Sequence, residues 1–293
     1  MSKPWGSGTG HAHHGELLQG VFEDSDRKLR RGLLSLPCPS LTSLATFTLT
    51  EAADVTVAPV SCEKARRAGK LALAAFSERS CGGHLQIATN IPVGQGMGSS
   101  TADVIASILA ILECLGKTAA PEAIMKIAVA AETACDSTLF AQNAVLFAQR
   151  EGTVIEAFRK HLPSIDLFSI DTAPETTVST LDHRPARYSS AEIEAFRPLR
   201  SLLRAAIDRQ DIGLLGRVAT ASARINDRFL PKPHLQALHR IATQNHAAGI
   251  QVAHSGTLVG MLFDPDSPGR DDNIAHAERS IAALGLPHRL LHA

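Results

Sequence analysis

Residues 92–101 read Pro92-Val93-Gly94-Gln95-Gly96-Met97-Gly98-Ser99-Ser100-Thr101 and join a strand-like segment to a helical one. Upstream, residues 84–91 alternate, with Leu85 and Ile87 facing inward and Ala88 as a further inward candidate. Downstream, residues 102–115 form an apolar helical run that Gly116 closes. Glycine permits positive φ and a close backbone approach, and the unpaired amides of a new helix aim partial positive charge at an anion. The stretch therefore suits a phosphate cradle; a glycine turn with no ligand fits the same residues.

What is missing narrows the choice. A Walker loop needs Gly-Lys-Ser/Thr, and no lysine lies between Lys70 and Lys117. A dinucleotide fingerprint needs G-x-G-x-x-G with an acid about 20 residues on, whereas these glycines fall at 94, 96 and 98. The stretch instead resembles the central P-x-x-x-G-L-G-S-S-A motif of the GHMP kinases, which include galactokinase, homoserine kinase and mevalonate kinase. Met97 stands for its Leu and Thr101 for its Ala.

Two further stretches carry the resemblance. Gly15-Glu16-Leu17-Leu18-Gln19-Gly20 is similar to the Gly-Glu dipeptide that borders the substrate pocket, in the version of the L-threonine kinase branch of cobalamin biosynthesis. Many members place a lysine before that dipeptide, but here stand His11, His13 and His14. His254-Ser255-Gly256-Thr257 resembles the third motif, a Ser-Gly loop that abuts the nucleotide across the cleft. Histidines so dense also admit a Zn or Ni reading, with Glu16 as the one nearby carboxylate; a buried approach strand with one imidazole lining a cleft is the plainer alternative.

A helix over residues 121–134, opened by Pro121 with Glu122 suited to its dipole, buries Ile124, Ile127, Ala128 and Ala131. Glu132 falls about 80° from Ile124 at the margin of that stripe, and Asp136 follows. Alone, these acids read equally as an exposed helix end with Asp136 as a cap. The resemblance implies more: Glu132 and Ser100 as Mg ligands, and Asp136 as the acid near the attacking hydroxyl, with Cys135 where the threonine-kinase branch has Thr. It also implies that Pro92, Gly94, Gln95, Gly96, Met97, Gly98, Ser99, Ser100 and Thr101 hold ATP, and that His14, Gly15, Glu16, Asp136, Ser255 and Gly256 border the acceptor.

Around these motifs the pattern predicts strands over 33–36 and 41–50, broken by Pro37 and Pro39, and a helix over 61–80 whose Lys64, Arg66 and Arg67 make a solvated face or serve a function. A hairpin follows over 144–149 and 153–158 with Gly152 left-handed. After a strand at 165–170 and a polar connection over 171–187, Ser189-Ser190-Ala191-Glu192 reads as a capping box, opening a helix that Pro198 interrupts. Helices over 211–229 and 234–248, the latter ending on Gly249 as C′ residue, strands at 250–253 and 258–263, a helix at 273–284 and a strand at 288–291 complete the chain.

Composition agrees. The 293 residues suggest two compact units, divided at 1–160 and 161–293. Twenty-nine basic and 29 acidic residues balance, and with one Trp and one Tyr the chain lacks the footprint of a nucleic-acid binder. Five cysteines without C-x-x-C spacing suit a reduced cytoplasmic protein. No apolar run reaches the roughly 18 residues of a membrane span, and the start has no signal-peptide core; monomer and homodimer both stay open. The resemblance implies an α+β two-domain GHMP kinase fold, with a first domain like ribosomal protein S5 domain 2 and a ferredoxin-like second. It implies an ATP- and Mg-dependent kinase acting on L-threonine or a related hydroxy amino acid. Other small alcohols such as homoserine, mevalonate or a sugar, a non-catalytic sensor or scaffold, and an RNA-binding module are the alternatives.

Overall fold

The computed structural model describes residues 4–140, 143–176 and 186–292. Its spine is a pair of long antiparallel strands, β1 (Trp5–Glu23) and β2 (Leu29–Thr50). One side of this ribbon continues through β4 (Gly82–Thr89) to the parallel edge strand β3 (Val55–Ala58). The other continues through β8 (Gly249–Val252), β9 (Leu258–Phe263), β7 (Asp166–Asp171) and β10 (His288–His292). The hairpin β5 (Val145–Ala148) and β6 (Thr153–Ala157) hangs on β2. β1 and β8 share one residue pair, Glu16 with Val252, so the two halves of the sheet meet at a single narrow seam.

Three helices cover the first half: α1 (Glu63–Phe76), α2 (Ser99–Leu115) and α3 (Pro121–Glu132), packed over Phe47, Leu85, Ile108 and Phe147. Why α2 lies so close to β1 is written in both. Gly6, Gly8 and Gly10 alternate on one face of the strand, and a Cβ at each would strike, in turn, the backbone at Ala110 and Cys114, at Ala106, and at Ala102. Small residues recur every fourth position on the facing side of α2, so strand and helix pack backbone to backbone. That contact aims the helix N-terminus at the seam.

The second half is covered by α4 (Ser190–Arg209), α5 (Ile212–Asp227), α6 (Leu235–Gln244) and α7 (Arg270–Ala282), over two apolar clusters centred on Phe196, Leu215 and Leu262 and on Phe168, Ile250 and Met261. The expected capping box is present, with Ser189 as N-cap and Glu192 returning the bond.

Several expectations need correcting. The 33–36 and 41–50 segments are one strand, because Cys38 pairs with Ala12 and Thr42 with His11, which leaves Pro39 looped out of the ladder. Pro198 does not end α4; it removes one backbone donor, while Phe196 and Leu203 anchor the helix on either side of it. α6 stops at Gln244, His246 takes the left-handed conformation, and Gly249 opens β8 instead, where its lack of a Cβ admits the Gly216 carbonyl of α5. Ala88 faces out, so only Leu85 and Ile87 of that trio are inward. Residues 177–185 of the polar connection lie outside the described residues.

Candidate active site

At the seam a cavity of about 350 Å³ opens between the start of α2, the end of α3 and the β8–β9 turn. Its wall is the glycine stretch. Gly94, Gly96 and Gly98 all take positive φ, of 79°, 88° and 69°. Gly96 leaves no space for a Cβ against the Ser255 carbonyl, and Gly256, at φ 106°, leaves none against that of Gln95. The loops on the two sides of the seam therefore interlock through their backbones.

α2 begins with no side-chain cap and no acid in its first turn, and Ser99, Ser100 and Thr101 line the cavity. Ala102 is the first amide bonded back to Gly98, so the preceding amides lack intrahelical partners and face the cleft with the dipole's positive end. Gly94, Gly96, Met97 and Gly98 also line it, whereas Pro92 and Gln95 do not. Met97 is 1% exposed and packs with Ala12, Cys38 and Ala253; its carbonyl accepts from His13 N at 3.2 Å.

The acids arrive from α3. Glu132, its last residue, is buried; Oε2 accepts from Thr101 Oγ1 at 2.9 Å and Oε1 lies 3.1 Å from Lys64 Nζ. Thr133 then turns at φ 80°, and Cys135 N bonds to Gln149 O, which directs Asp136 into the cavity. Burial raises the pKa of Asp136 while His13 opposes that rise, leaving it above the usual carboxylate range.

Lys64 is the residue whose role the sequence concealed. Its place on a polar helix face gave no sign that α1 sets it over Glu132 at the cavity wall. Arg66 stays outside, paired with Glu63 and Asp54.

The histidines do not converge as one local metal set. His13 lines the cavity, its Nδ1 3.3 Å from Asp136 and its Nε2 3.3 Å from Glu16. Burial alone would depress it, but the two carboxylates outweigh that and carry its pKa up to about 9. His14 is turned the other way, held by Ser169 at 2.7 Å and by Gln251, and burial lowers it to about 3. It does not reach the cleft. Gly15 makes the left-handed bulge (φ 60°) that separates these directions, against Gln251 and Val252, and Glu16 sits behind His13 rather than on the cavity wall. Ser255 lines the cavity while Gly256 serves the loop contact behind it. Among the described residues, His13, Glu16 and Asp136 form a group of metal-capable side chains.

Polar donors, a cation, the buried Glu132 and the partly buried Asp136 round a cavity at a helix N-terminus make a site able to hold a polyphosphate and a hydroxyl. Comparison with known proteins agrees in family. The models described as GHMP kinases N terminal domain and GHMP kinases C terminal match residues 63–147 and 203–277. The chain is 30% identical over 182 residues to an L-threonine kinase of Citrobacter freundii, covering 61% of this chain and 62% of that one. It is 32% identical over 183 residues to an L-threonine kinase of Salmonella typhimurium, with 61% and 59% covered. It thus spans about three-fifths of the length of these curated relatives. In fold it is similar to a homoserine kinase from Cytophaga hutchinsonii, with a TM-score of 0.71 at 16% identity over 98% of this chain and 94% of that one. A mevalonate kinase gives 0.62 at 14%, over 97% and 98%. With both family models matched in order on a two-domain GHMP kinase fold, the chain belongs to the GHMP kinase family.

Proposed function

We propose that the protein is an ATP-dependent kinase that phosphorylates the hydroxyl of a small alcohol, with L-threonine as its first acceptor. One observation carries this: the uncapped first turn of α2 faces the same cavity as Glu132 and Asp136. Phosphoryl transfer asks for alignment and charge stabilisation more than covalent help, and this site offers both. The amides of residues 96–100 bind the β- and γ-phosphates. The acceptor oxygen bonds to the γ-phosphorus as the bond to the β–γ bridging oxygen breaks, ADP leaves, and Asp136 takes the hydroxyl proton.

Mg²⁺ fits the donor set, because the buried Glu132 carboxylate and the Ser100 hydroxyl are hard oxygens on one cavity. When bound, the ion neutralises charge on the phosphates. Glu132 and Ser100 would hold it, directly or through water, and Lys64 balances the other Glu132 oxygen.

The acceptor rests on the two L-threonine kinase relatives. We place its pocket by Asp136, His13 and Ser255, with the boundary between the two domains near residue 160. Five free cysteines suit a reducing cytoplasm. An assay of ATP consumption with threonine, serine, homoserine, mevalonate and sugars tests the assignment. Turnover with threonine and weaker turnover with serine are expected; turnover with a sugar alone overturns the acceptor, and none with any of them overturns the kinase.

A further inference from the structure

His13 stands between two carboxylates supplied by different parts of the chain. Nδ1 lies 3.3 Å from Oδ2 of Asp136 and Nε2 lies 3.3 Å from Oε1 of Glu16. The ring is 4% exposed and Glu16 1%. Neither Glu16 oxygen accepts a hydrogen bond from any described residue, and the ion-pair contact it makes is with His13. His13 Nδ1 likewise has no hydrogen-bond partner among the described residues, so what joins the three groups is the attraction of two carboxylates for a charged ring 3.3 Å from each. Gly98 packs against the same ring: a Cβ there would strike His13 Nδ1 and Cε1 and crowd Asp136 Oδ2.

We propose that His13 is a positioning residue for phosphoryl transfer, bridging Asp136 to the buried Glu16 so that the Asp136 carboxylate is fixed beside the first turn of α2. The proposal rests on the kinase reading and adds to it a residue and a role. Without the bridge, the buried Glu16 and the partly buried Asp136 would be left as two carboxylates beside the space His13 fills, and one of them would take a proton. Asp136, already raised by burial, would then reach the acceptor as a neutral acid, unable to accept its proton.

The surroundings favour the charged bridge. Glu132, from the end of α3, adds a longer-range negative charge, and His14, next on β1, is neutral. His254, between β8 and β9, bonds through Nδ1 to Gln19 Oε1 at 2.6 Å and adds a weak pull on Asp136. Lys64 is engaged with Glu132. The net result is a His13 that keeps its proton to about pH 9.

Two experiments together decide it. In the acceptor assay, H13N and H13Q are expected to lower kcat by about 10- to 100-fold, with the KM for ATP within about twofold. They should also move the acid limb of kcat/KM upward by about one pH unit or more, and H13K should return it. An acid limb that stays in place in folded H13N and H13Q overturns the proposal. Independently of any turnover, NMR titration of the imidazole in the unliganded protein should show His13 protonated beyond pH 8, with its midpoint falling in E16Q and D136N. A midpoint at or below the ordinary value of about 6.5 overturns the bridge even if the enzyme is active. If no acceptor is turned over while the bridge titrates as expected, it is the kinase reading that fails.

Discussion

Thr101 Oγ1 donates to Oε2 of Glu132 at 2.9 Å, tying the first turn of α2 to the last residue of α3. Both groups are buried, so the bond joins a nearly dry hydroxyl to a carboxylate. T101V keeps the shape and removes the donor, leaving one oxygen of a buried charge less satisfied. It should cost about 1–3 kcal/mol of stability, read by urea denaturation, and raise the Mg²⁺ concentration needed for half-maximal turnover. Unchanged values in both would separate Thr101 from the orientation of Glu132.

The approach of α2 to β1 gives a second expectation. Gly8 faces the Ala106 carbonyl with no room for a Cβ. G8A must push helix and strand apart or distort both, and overpacking of this kind costs about 1–3 kcal/mol. Moving the helix also moves its N-terminus, so nucleotide affinity should fall with stability. A G8A protein with wild-type affinity and melting point would mean that the contact has slack.

Lys64 tests the part of the site that sequence patterning hid. Its ion pair with Glu132 is partly exposed, so K64M should change stability by less than about 1 kcal/mol. The lost cation should raise the KM for ATP by about tenfold, equivalent to about 1.4 kcal/mol. An unaltered KM would return Lys64 to a solvated helix face.

Stability should fall on both sides of neutrality for separate reasons. His13, raised to about 9, contributes stability that is fully present below its unfolded pKa of about 6.5 and is lost as pH climbs through 9. His14, lowered to about 3, contributes stability present above about 6.5 and lost as pH falls toward 3. Melting temperatures from pH 4 to 10 should therefore peak near pH 6–7. H13Q should flatten the alkaline limb and H14Q the acid limb; limbs of wild-type steepness in both variants would assign the pH dependence elsewhere.

How much of this could be read from the chain follows from the range of each signal. The glycine stretch, α2 and Glu132 were legible because each obeys a local rule: positive φ at glycine, helical period, a carboxylate at the edge of an apolar stripe. Pairings across the fold left no such trace. Lys64 and Glu132 belong to different helices, and the direction of His13 depends on the bulge at Gly15, which turns His14 away from it. The continuity of β2 past Pro37 was hidden too. Pro37 pairs with His13, whose amide bonds to Met97 rather than into the ladder, between register shifts at His11/Ala12 and His13/Glu16, so the proline falls where the ladder is already irregular.

The proposed kinase depends on the open turn of α2 gripping a polyphosphate whose metal ion Glu132 helps to hold. A crystal structure with a non-hydrolysable ATP analogue, Mg²⁺ and L-threonine tests it most directly. The expected density has the β- and γ-phosphates on the amides of residues 96–100, the ion beside Glu132 and Ser100, and the acceptor hydroxyl facing Asp136. A triphosphate bound elsewhere, with this loop unchanged and Asp136 far from any hydroxyl, would contradict it.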